Sequence, residues 1–377
     1  MARPRIADVA ERAGVSKTAV SFAFNQPEHL NETTRERILL IAEELGYRPS
    51  PIARRLARQR TDQIGLVVPQ STHDIFANPF LPELVRGIGD VCDGEGIAVV
   101  IVPPVRGSIA RSVEGALVDG LILLGLPSDH PELIKVQRGG LPVVALDVEA
   151  FGNAAVIAVD DSAGAEQAAR HLAELGHRDV AVVLIAAHVD SPVDEHAGMS
   201  ARRLAGIRTG FGLAPDQDSD GTTTLRVVST SVSEEGGRAA FEMLAADGRL
   251  PTAVMAMSDI TAIGLIAAAT DAGLRLPDEL SVTGFDDIPA AGWIQPRLTT
   301  VHQPIREKGR LAATRLIEAI REKGDRRAGT QILPTRLVVR ASTAPPRSHP
   351  APERRTQTNP PPIRIAAPVG AGGDAAP

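Results

Sequence analysis

Near its amino terminus the chain reads Ile6-Ala-Asp-Val-Ala-Glu-Arg-Ala-Gly-Val-Ser-Lys-Thr-Ala-Val-Ser21. The first half of this stretch places small and apolar residues at the spacing of one helical face, at Ile6, Val9, Ala10 and Ala13. Gly14 can supply the positive φ of a tight turn, and Ser16 can cap a second helix, which we predict over Lys17–Phe24. Two helices joined by so short a turn form a helix-turn-helix.

The outer face of the second helix is expected to be the one that meets a partner. Val20 fills the angle between the helices, which leaves the outer side to Lys17, Thr18, Ser21 and Phe22. A recognition helix contacts base edges in the major groove from such a face. A third helix is predicted between a cap at Asn31 and a stop at Gly46. A small three-helix bundle without a nucleic-acid role is the alternative.

Charge separates this head from the rest of the chain. Residues 1–60 contain 11 Lys and Arg against 7 Asp and Glu, whereas the whole chain of 377 residues has a formal net charge of -6. A basic head on an acidic body favours a polyanionic partner for the head.

Residues 50–57, Ser-Pro-Ile-Ala-Arg-Arg-Leu-Ala, predict a short hinge helix capped by Ser50. Because an isolated helix of about two turns is unstable in water, we expect it to fold only against a partner. Arg54, Arg55 and Arg58 can meet phosphates, and Leu56 on a basic helix suits a wedge between base pairs in the minor groove. A charged linker with one incidental leucine is the alternative.

Residues 63–343 alternate short apolar runs with longer amphipathic stretches. Continuous Val, Ile and Leu runs are typical of strands in a parallel sheet that is covered on both faces. About 280 residues with this many strands suit two α/β lobes better than one sheet. Residues 344–377 are rich in Pro, Ala and Gly and are predicted to be disordered. The predicted strands are Ile64–Val68, Ala98–Val102, Leu121–Leu124, Val143–Leu146, Val156–Val159, Val180–Ile185, Arg226–Ser229, Ala253–Met257 and Ser281–Gly284.

Composition and missing motifs exclude several classes of protein. The single cysteine, Cys92, rules out an intrachain disulfide and a multi-cysteine zinc site. No run approaches the roughly 20 apolar residues that span a bilayer, and Asp8 precedes any apolar run, so we expect a cytoplasmic protein with no membrane partner. Neither a Gly-x-Ser-x-Gly elbow nor a Walker loop occurs, and no dinucleotide fingerprint follows the first strand, so no enzyme and no cofactor is predicted.

Two alternatives remain for the body. A metal cluster is suggested by His188, Asp190, Asp194 and His196, but Pro192 and the absence of a helical His pair favour a solvated loop. A secreted sugar-binding protein would share the two lobes but would lack residues 1–60, so it is disfavoured.

These motifs together resemble the LacI/GalR family of bacterial transcription regulators. Besides the first helices, the matching blocks include Thr34-Arg-Glu-Arg-Ile38, Glu44-Leu-Gly-Tyr-Arg-Pro49, Leu175-Gly-His-Arg178, Ser281-Val-Thr-Gly-Phe-Asp-Asp-Ile288 and Leu333-Pro-Thr-Arg-Leu-Val-Val-Arg340. The resemblance implies an all-α helix-turn-helix headpiece (1–47) and a hinge (48–62). It further implies a two-lobed α/β body of the type I periplasmic-binding-protein kind (63–343), followed by a tail (344–377).

The resemblance also implies a nucleoid-associated repressor that binds a near-palindromic operator as a homodimer. It assigns DNA contacts to Ser16, Lys17, Thr18, Ser21, Phe22, Asn25, Thr34, Ala53, Arg54, Leu56 and Ala57. Phe22 departs from the arginine common at its position. The phenyl ring can pack on a thymine methyl but cannot donate two hydrogen bonds to a guanine. The operator sequence of other family members therefore cannot be assigned to this chain.

A small-molecule effector, a sugar or a related metabolite, is implied in the cleft between the lobes. The resemblance assigns its polar contacts to Asp147, Arg203 and Asp286, and its apolar walls to Phe80 and Trp293. The alternatives are strand-end caps for the two aspartates, a surface ion pair for Arg203, and core packing for Phe80 and Trp293. Loop 71–77 is longer, and segment 103–116 shorter, than the family's usual pattern, so the ligand's identity stays open.

Overall fold

The computed structural model describes residues 4–48, 60–126, 131–148, 150–185, 198–322 and 329–347. Within them the chain forms two compact units, Met1–Gln63 and Ile64–Pro377. The predicted contacts at Ala53, Arg54, Leu56 and Ala57 lie outside the described residues, as do positions 188–196 and the tail from 348 onward.

The first unit contains the predicted helix-turn-helix. Its helices are Ile6–Ala13 (α1), Lys17–Asn25 (α2) and Glu32–Glu44 (α3). Gly14 ends α1 with a φ of 65°, and the Ser16 side chain caps α2 by accepting a hydrogen bond from the backbone of Ala19 at 3.1 Å. A small core joins the three helices, made of Val9, Ala10, Ala13, Val20, Ala23, Ile38 and Ala42.

The second unit contains two six-stranded sheets, each at the centre of one lobe. The strands of the first sheet are Gln63–Val67 (β1), Ala98–Val102 (β2), Gly120–Leu124 (β3), Val143–Leu146 (β4), Ala155–Val159 (β5) and Thr330–Leu333 (β11). Their order in the sheet is β11-β5-β4-β3-β1-β2. The helices of this lobe are Thr72–Ala77 (α4), Phe80–Glu95 (α5), Ile109–Gly115 (α6), Pro131–Arg138 (α7) and Ile305–Arg321 (α12).

Helices α5 and α12 pack against each other. They approach closely because Gly87 has no side chain: a Cβ there would lie 2.0 Å from the backbone oxygen of Arg306. This close packing fixes the start of α12 against its lobe.

The second sheet has the order β12-β10-β9-β8-β6-β7, and β12 runs antiparallel to β10. Its strands are Asp179–Ile185 (β6), Thr224–Thr230 (β7), Ala253–Ala256 (β8), Ser281–Asp286 (β9), Thr299–His302 (β10) and Arg336–Val338 (β12). Asp161–Leu175 (α8) packs with Gly198–Gly210 (α9), and Glu234–Ala246 (α10) packs with Asp259–Asp271 (α11).

The chain passes between the two sheets at three crossovers: from β5 to α8, from β10 to α12, and from β11 to β12. The predicted fold class, a helical headpiece followed by a two-lobed α/β body, is confirmed. Ala344 and Arg347, which the sequence assigned to the tail, contact the second lobe at His177 and Asp278. None of the helices in the described part of the chain has the length and hydrophobicity needed to cross a membrane.

Candidate DNA-reading face and ligand cleft

The beginning of α2 is the most exposed part of the predicted DNA-reading face. Ser16, Lys17 and Thr18 are exposed, whereas Ser21 and Phe22 are half-buried. The Phe22 ring stacks on His29, with ring centroids 5.0 Å apart and planes at 30°. The structure therefore brings these residues to one side of α2, with the phenyl ring held by a neighbour.

Two other predicted DNA contacts lie at helix ends. The Asn25 side chain donates to the backbone oxygen of Ser21 at 3.0 Å, and its own amide oxygen is buried without a partner among the described residues. The backbone N–H of Thr34 donates to the Asn31 side chain at 2.8 Å, which caps α3. Both groups thus take part in ending or starting a helix.

In the body, Asp147 meets a lysine that the sequence analysis missed. Asp147 directly follows β4, and both of its carboxylate oxygens accept hydrogen bonds from the Lys308 ammonium, at 2.6 and 2.8 Å. Lys308 lies in the first turn of α12, and its side chain is completely buried. The sequence offered one signal: Ile305, Lys308, Gly309 and Ala312 have the spacing of a single helical face, and that face is buried.

Gln303 links this ion pair to the other lobe. Its side-chain oxygen accepts a hydrogen bond from Lys308 at 2.8 Å, and its side-chain nitrogen donates to Asp286, at the end of β9. The orientation of the amide is fixed, because an ammonium only donates and a carboxylate accepts. A polar chain therefore runs from Asp147 through Lys308 and Gln303 to Asp286, along the crossover from β10 to α12.

Asp147 and Asp286 also share an unusual backbone conformation. Their φ angles are 59° and 130°, values that residues other than glycine rarely adopt. Such strain persists where the surroundings impose it, and it concentrates at ligand sites. Neither side chain is engaged as a simple strand-end cap, because each is bonded to a side chain from the crossover.

Arg203 is paired inside the second lobe. Its side chain is 2% exposed, and its Nε donates to Asp161 at 2.8 Å. It also donates to the backbone oxygen of Met257 and lies 3.5 Å from the centroid of the Phe285 ring. Arg202 binds the same Asp161 carboxylate at 2.8 Å. The pair is thus a buried one at the crossover from β5 to α8, and the Arg203 guanidinium already has protein partners.

Asp259 stands close to Asp286 and is completely buried. It accepts hydrogen bonds from the Thr300 hydroxyl and from the backbone N–H of Ile288. Burial raises the pKa of Asp259 to about 8, and the negative charge of Asp286 adds to the increase. Burial also raises the pKa of Asp286 to about 6, while Arg203 and the Gln303 hydrogen bond oppose the increase.

The two predicted apolar walls differ in position. Phe80 is half-buried, and its ring centroid lies 5.5 Å from the Lys308 nitrogen. Trp293 is 79% exposed, and a side chain that exposed encloses little of any pocket. The structure therefore groups Phe80, Asp147 and Asp286 around Lys308 and Gln303. In the described part of the chain no cluster of His, Cys, Asp or Glu could hold a metal ion.

Comparison with known families gives two matches. Residues 5–50 match the model described as bacterial regulatory proteins, lacI family, and residues 169–343 match the periplasmic binding protein-like domain.

Two relatives match over nearly their whole length. HTH-type transcriptional regulator Rv3575c of Mycobacterium tuberculosis is 32% identical over 368 residues, covering 91% of this chain and 98% of the relative. HTH-type transcriptional repressor PurR of Erwinia tasmaniensis is 32% identical over 358 residues, covering 90% of this chain and 96% of the relative.

Solved structures agree with these relatives. The lac repressor dimer bound to operator and the anti-inducer ONPF matches with a TM-score of 0.71 and 27% identity, covering 91% of this chain and 100% of that one. The complex of the transcriptional regulator CelR with cellobiose matches with a TM-score of 0.64 and 28% identity, covering 90% of this chain and 100% of that one.

Proposed function

Because this chain belongs to the LacI family of bacterial regulatory proteins, we propose that it represses transcription by binding a near-palindromic operator as a homodimer. Relatives over nearly the full chain are named transcriptional regulators and repressors, so the protein is a regulator and not an enzyme. It acts in the cytoplasm, where operator DNA is found.

The observation that carries this proposal is the exposed start of α2. Ser16, Lys17 and Thr18 project from a helix whose opposite side is anchored in the headpiece core through Val20 and Ala23. A helix fixed in this way presents a preformed polar face to the major groove. Phe22, stacked on His29, adds an apolar contact that suits a thymine methyl.

Residues 48–62 would form the hinge, with Leu56 as the minor-groove wedge and Arg54 as a phosphate contact. Ala53 and Ala57 are small enough to let two such helices pack closely in a dimer. A lac repressor dimer bound to operator supports this arrangement, and its structure matches 91% of this chain.

The cleft would hold a small effector whose presence changes the angle between the lobes. Asp147 and Asp286 are the two ends of the polar chain at the crossover from β10 to α12, where a change of lobe angle is concentrated, and Phe80 lies beside its lysine. The cellobiose-bound neighbour CelR supports a carbohydrate-related ligand. A ligand can shift the lobes only by binding one arrangement better than the other, and such coupling is typically about 1–3 kcal/mol.

The proposal is tested by selecting a duplex from a randomised pool with the full-length protein, followed by anisotropy titration of the selected site. Lys17→Ala should weaken binding to that site by roughly tenfold or more, because a good base contact is worth about 1–3 kcal/mol. Arg315→Ala, which removes one half-exposed positive charge from α12 of the body, is the matched control and should leave affinity unchanged. Equal losses in both variants would contradict base reading by α2.

A further inference from the structure

The ammonium of Lys308 is a fully enclosed positive charge at the proposed cleft. Its side chain is completely buried, and its three N–H groups are used on the two oxygens of Asp147 and on the side-chain oxygen of Gln303, at 2.6, 2.8 and 2.8 Å. The Phe80 ring, 5.5 Å away, shields it further. Whatever occupies the cleft must leave this charge neutralised.

The two members of the ion pair are not equally enclosed. Lys308 is 0% exposed, whereas the Asp147 side chain is 9% exposed and stands at the end of β4. Solvent therefore reaches the pair from the side of Asp147. A ligand that enters from there competes with Asp147 for Lys308, or turns Asp147 towards its own hydroxyl groups.

Both events take the counter-charge away from a buried ammonium. Breaking a buried ion pair without replacing the lost charge is strongly unfavourable, equivalent to roughly 100-fold or more in an equilibrium constant. A neutral hydroxyl does not replace the charge. A carboxylate or phosphate on the ligand does.

The charged groups around the ion pair are of both signs, with Asp286 and Asp259 acidic and Arg203 basic. Gln303 stands between Lys308 and Asp286 and directs its N–H towards Asp286. Arg203 and Arg202 face the second-lobe side, where Asp161 already balances part of their charge.

We infer that Lys308 determines the specificity of the cleft, and that the effector carries a carboxylate or phosphate group that replaces Asp147 at the Lys308 ammonium. In the absence of that effector, Asp147 acts as the tethered substitute for the ligand anion. This inference rests on the proposed function, because it concerns the same cleft. It adds the chemical class of the ligand and the residue that selects it.

The test is rescue of the full-length Asp147→Ala variant by small anions. Thermal unfolding is measured in sodium formate, acetate or inorganic phosphate, each against sodium chloride at equal ionic strength. Asp147→Ala should unfold several degrees below the unsubstituted protein in chloride, and formate, acetate or phosphate should restore at least half of the loss. Rescue by the first two alone shows that the space beside Lys308 accepts a carboxylate, and rescue by phosphate alone shows that it accepts a phosphate.

The control is the double variant Asp147→Ala/Lys308→Met, which has no ammonium left to neutralise and should show no anion-specific stabilisation. Should Asp147→Ala fail to fold in chloride, the near-isosteric Asp147→Asn is measured in the same way. Equal behaviour of every variant in formate, acetate, phosphate and chloride would overturn the inference, as would equal rescue of the double variant. Operator binding is measured separately. A protein that binds its operator but shows no anion rescue would contradict this inference and leave the proposed function intact.

A second arm uses the unsubstituted protein with matched ligands: ribose and ribose 5-phosphate, and glucose, gluconate and glucose 6-phosphate. Any ligand that raises the unfolding temperature should be a charged member of its set, and Lys308→Met should abolish the effect. Stabilisation by a neutral sugar that survives Lys308→Met would overturn the inference. If no member of the panel binds, the rescue experiment decides alone.

Discussion

Replacing Arg203 by alanine should lower the stability of the body even when no ligand is present. Arg203 is 2% exposed and pairs with Asp161, whose side chain is completely buried. Removing one partner of a buried ion pair is expected to cost about 3–5 kcal/mol, and the Met257 backbone oxygen loses a donor as well. Asp161 keeps its bonds to Arg202, which places the expected loss towards the lower end of this range.

Differential scanning calorimetry of the full-length protein measures this loss. Because the entropy of unfolding is about 2.1 cal/mol/K per residue, a free energy of about 3–5 kcal/mol corresponds to a fall in Tm of roughly 5–9 °C for a body of about 280 residues. Arg202→Ala is the matched control: it binds the same carboxylate, but its side chain is 25% exposed, so its removal should cost only about 1 kcal/mol.

A double variant separates the lost ion pair from lost packing. Arg203→Met/Asp161→Asn removes both buried charges and should recover part of the Tm that Arg203→Ala loses, because no buried carboxylate is left without Arg203. Arg202 loses its bond to the Asp161 carboxylate as well, but its side chain is 25% exposed, so that loss is small. A Tm for Arg203→Ala within about 2 °C of the unsubstituted protein, or equal to that of Arg202→Ala, would refute the reasoning.

Three further predictions concern the hinge, the buried carboxyl groups and the tail. Leu56→Ala should weaken operator binding roughly tenfold or more while leaving binding to a scrambled duplex nearly unchanged. Equal losses of affinity for both duplexes in anisotropy titrations would contradict the role of Leu56 as a minor-groove wedge. Because the folded-state pKa of Asp259 is raised from 3.8 to about 8, the folded chain keeps a proton that the unfolded chain releases, so stability should fall as pH rises through this interval. Asp259→Asn, whose amide oxygen can accept from the Ile288 N–H while its amide nitrogen donates to the Thr300 hydroxyl, should flatten the fall of Tm between pH 5 and pH 8.5. An unchanged slope would contradict this. Ending the chain after Arg347 should leave the operator affinity unchanged, and also the number of protomers per particle measured by light scattering. A change in either would assign the tail a role.

The headpiece could be predicted because its structure is encoded locally. Ser16 and Asn31 cap their helices through bonds to residues three positions away, and Gly14 takes the left-handed conformation that its turn requires. The apolar spacing in each helix is likewise a local signal. Only the end of α2 differs, because Asn25 continues the helix one residue beyond Phe24.

The body could be predicted only where its strands are apolar. All nine predicted strands are present, with ends that differ by no more than two residues. The strands β10, β11 and β12 were missed. Thr299 and Thr300 of β10 are completely buried but polar, and hydrogen bonds to Ser342 and Asp259 satisfy them, so a search for apolar runs passes over them. The other two strands lie at sheet edges and carry exposed residues such as Ile332.

The cleft was harder to predict because its contacts are distant in sequence. Family resemblance assigns Asp147 and Asp286 to the cleft; Asp286 is the last residue of β9, and Asp147 directly follows β4. Their partners depend on tertiary structure: Lys308 is 161 residues from Asp147 and reads in the sequence as part of a charged first helical turn. Arg203 likewise meets Asp161 only because α8 and α9 pack together.

The most direct test of the central claim is the affinity of the full-length protein for its selected duplex, compared with a scrambled duplex at physiological ionic strength. Specific sites of DNA-binding regulators are typically preferred by about 1,000-fold or more, and we expect a preference of that order for this chain. The same affinity for both duplexes would contradict the claim that the headpiece reads DNA sequence.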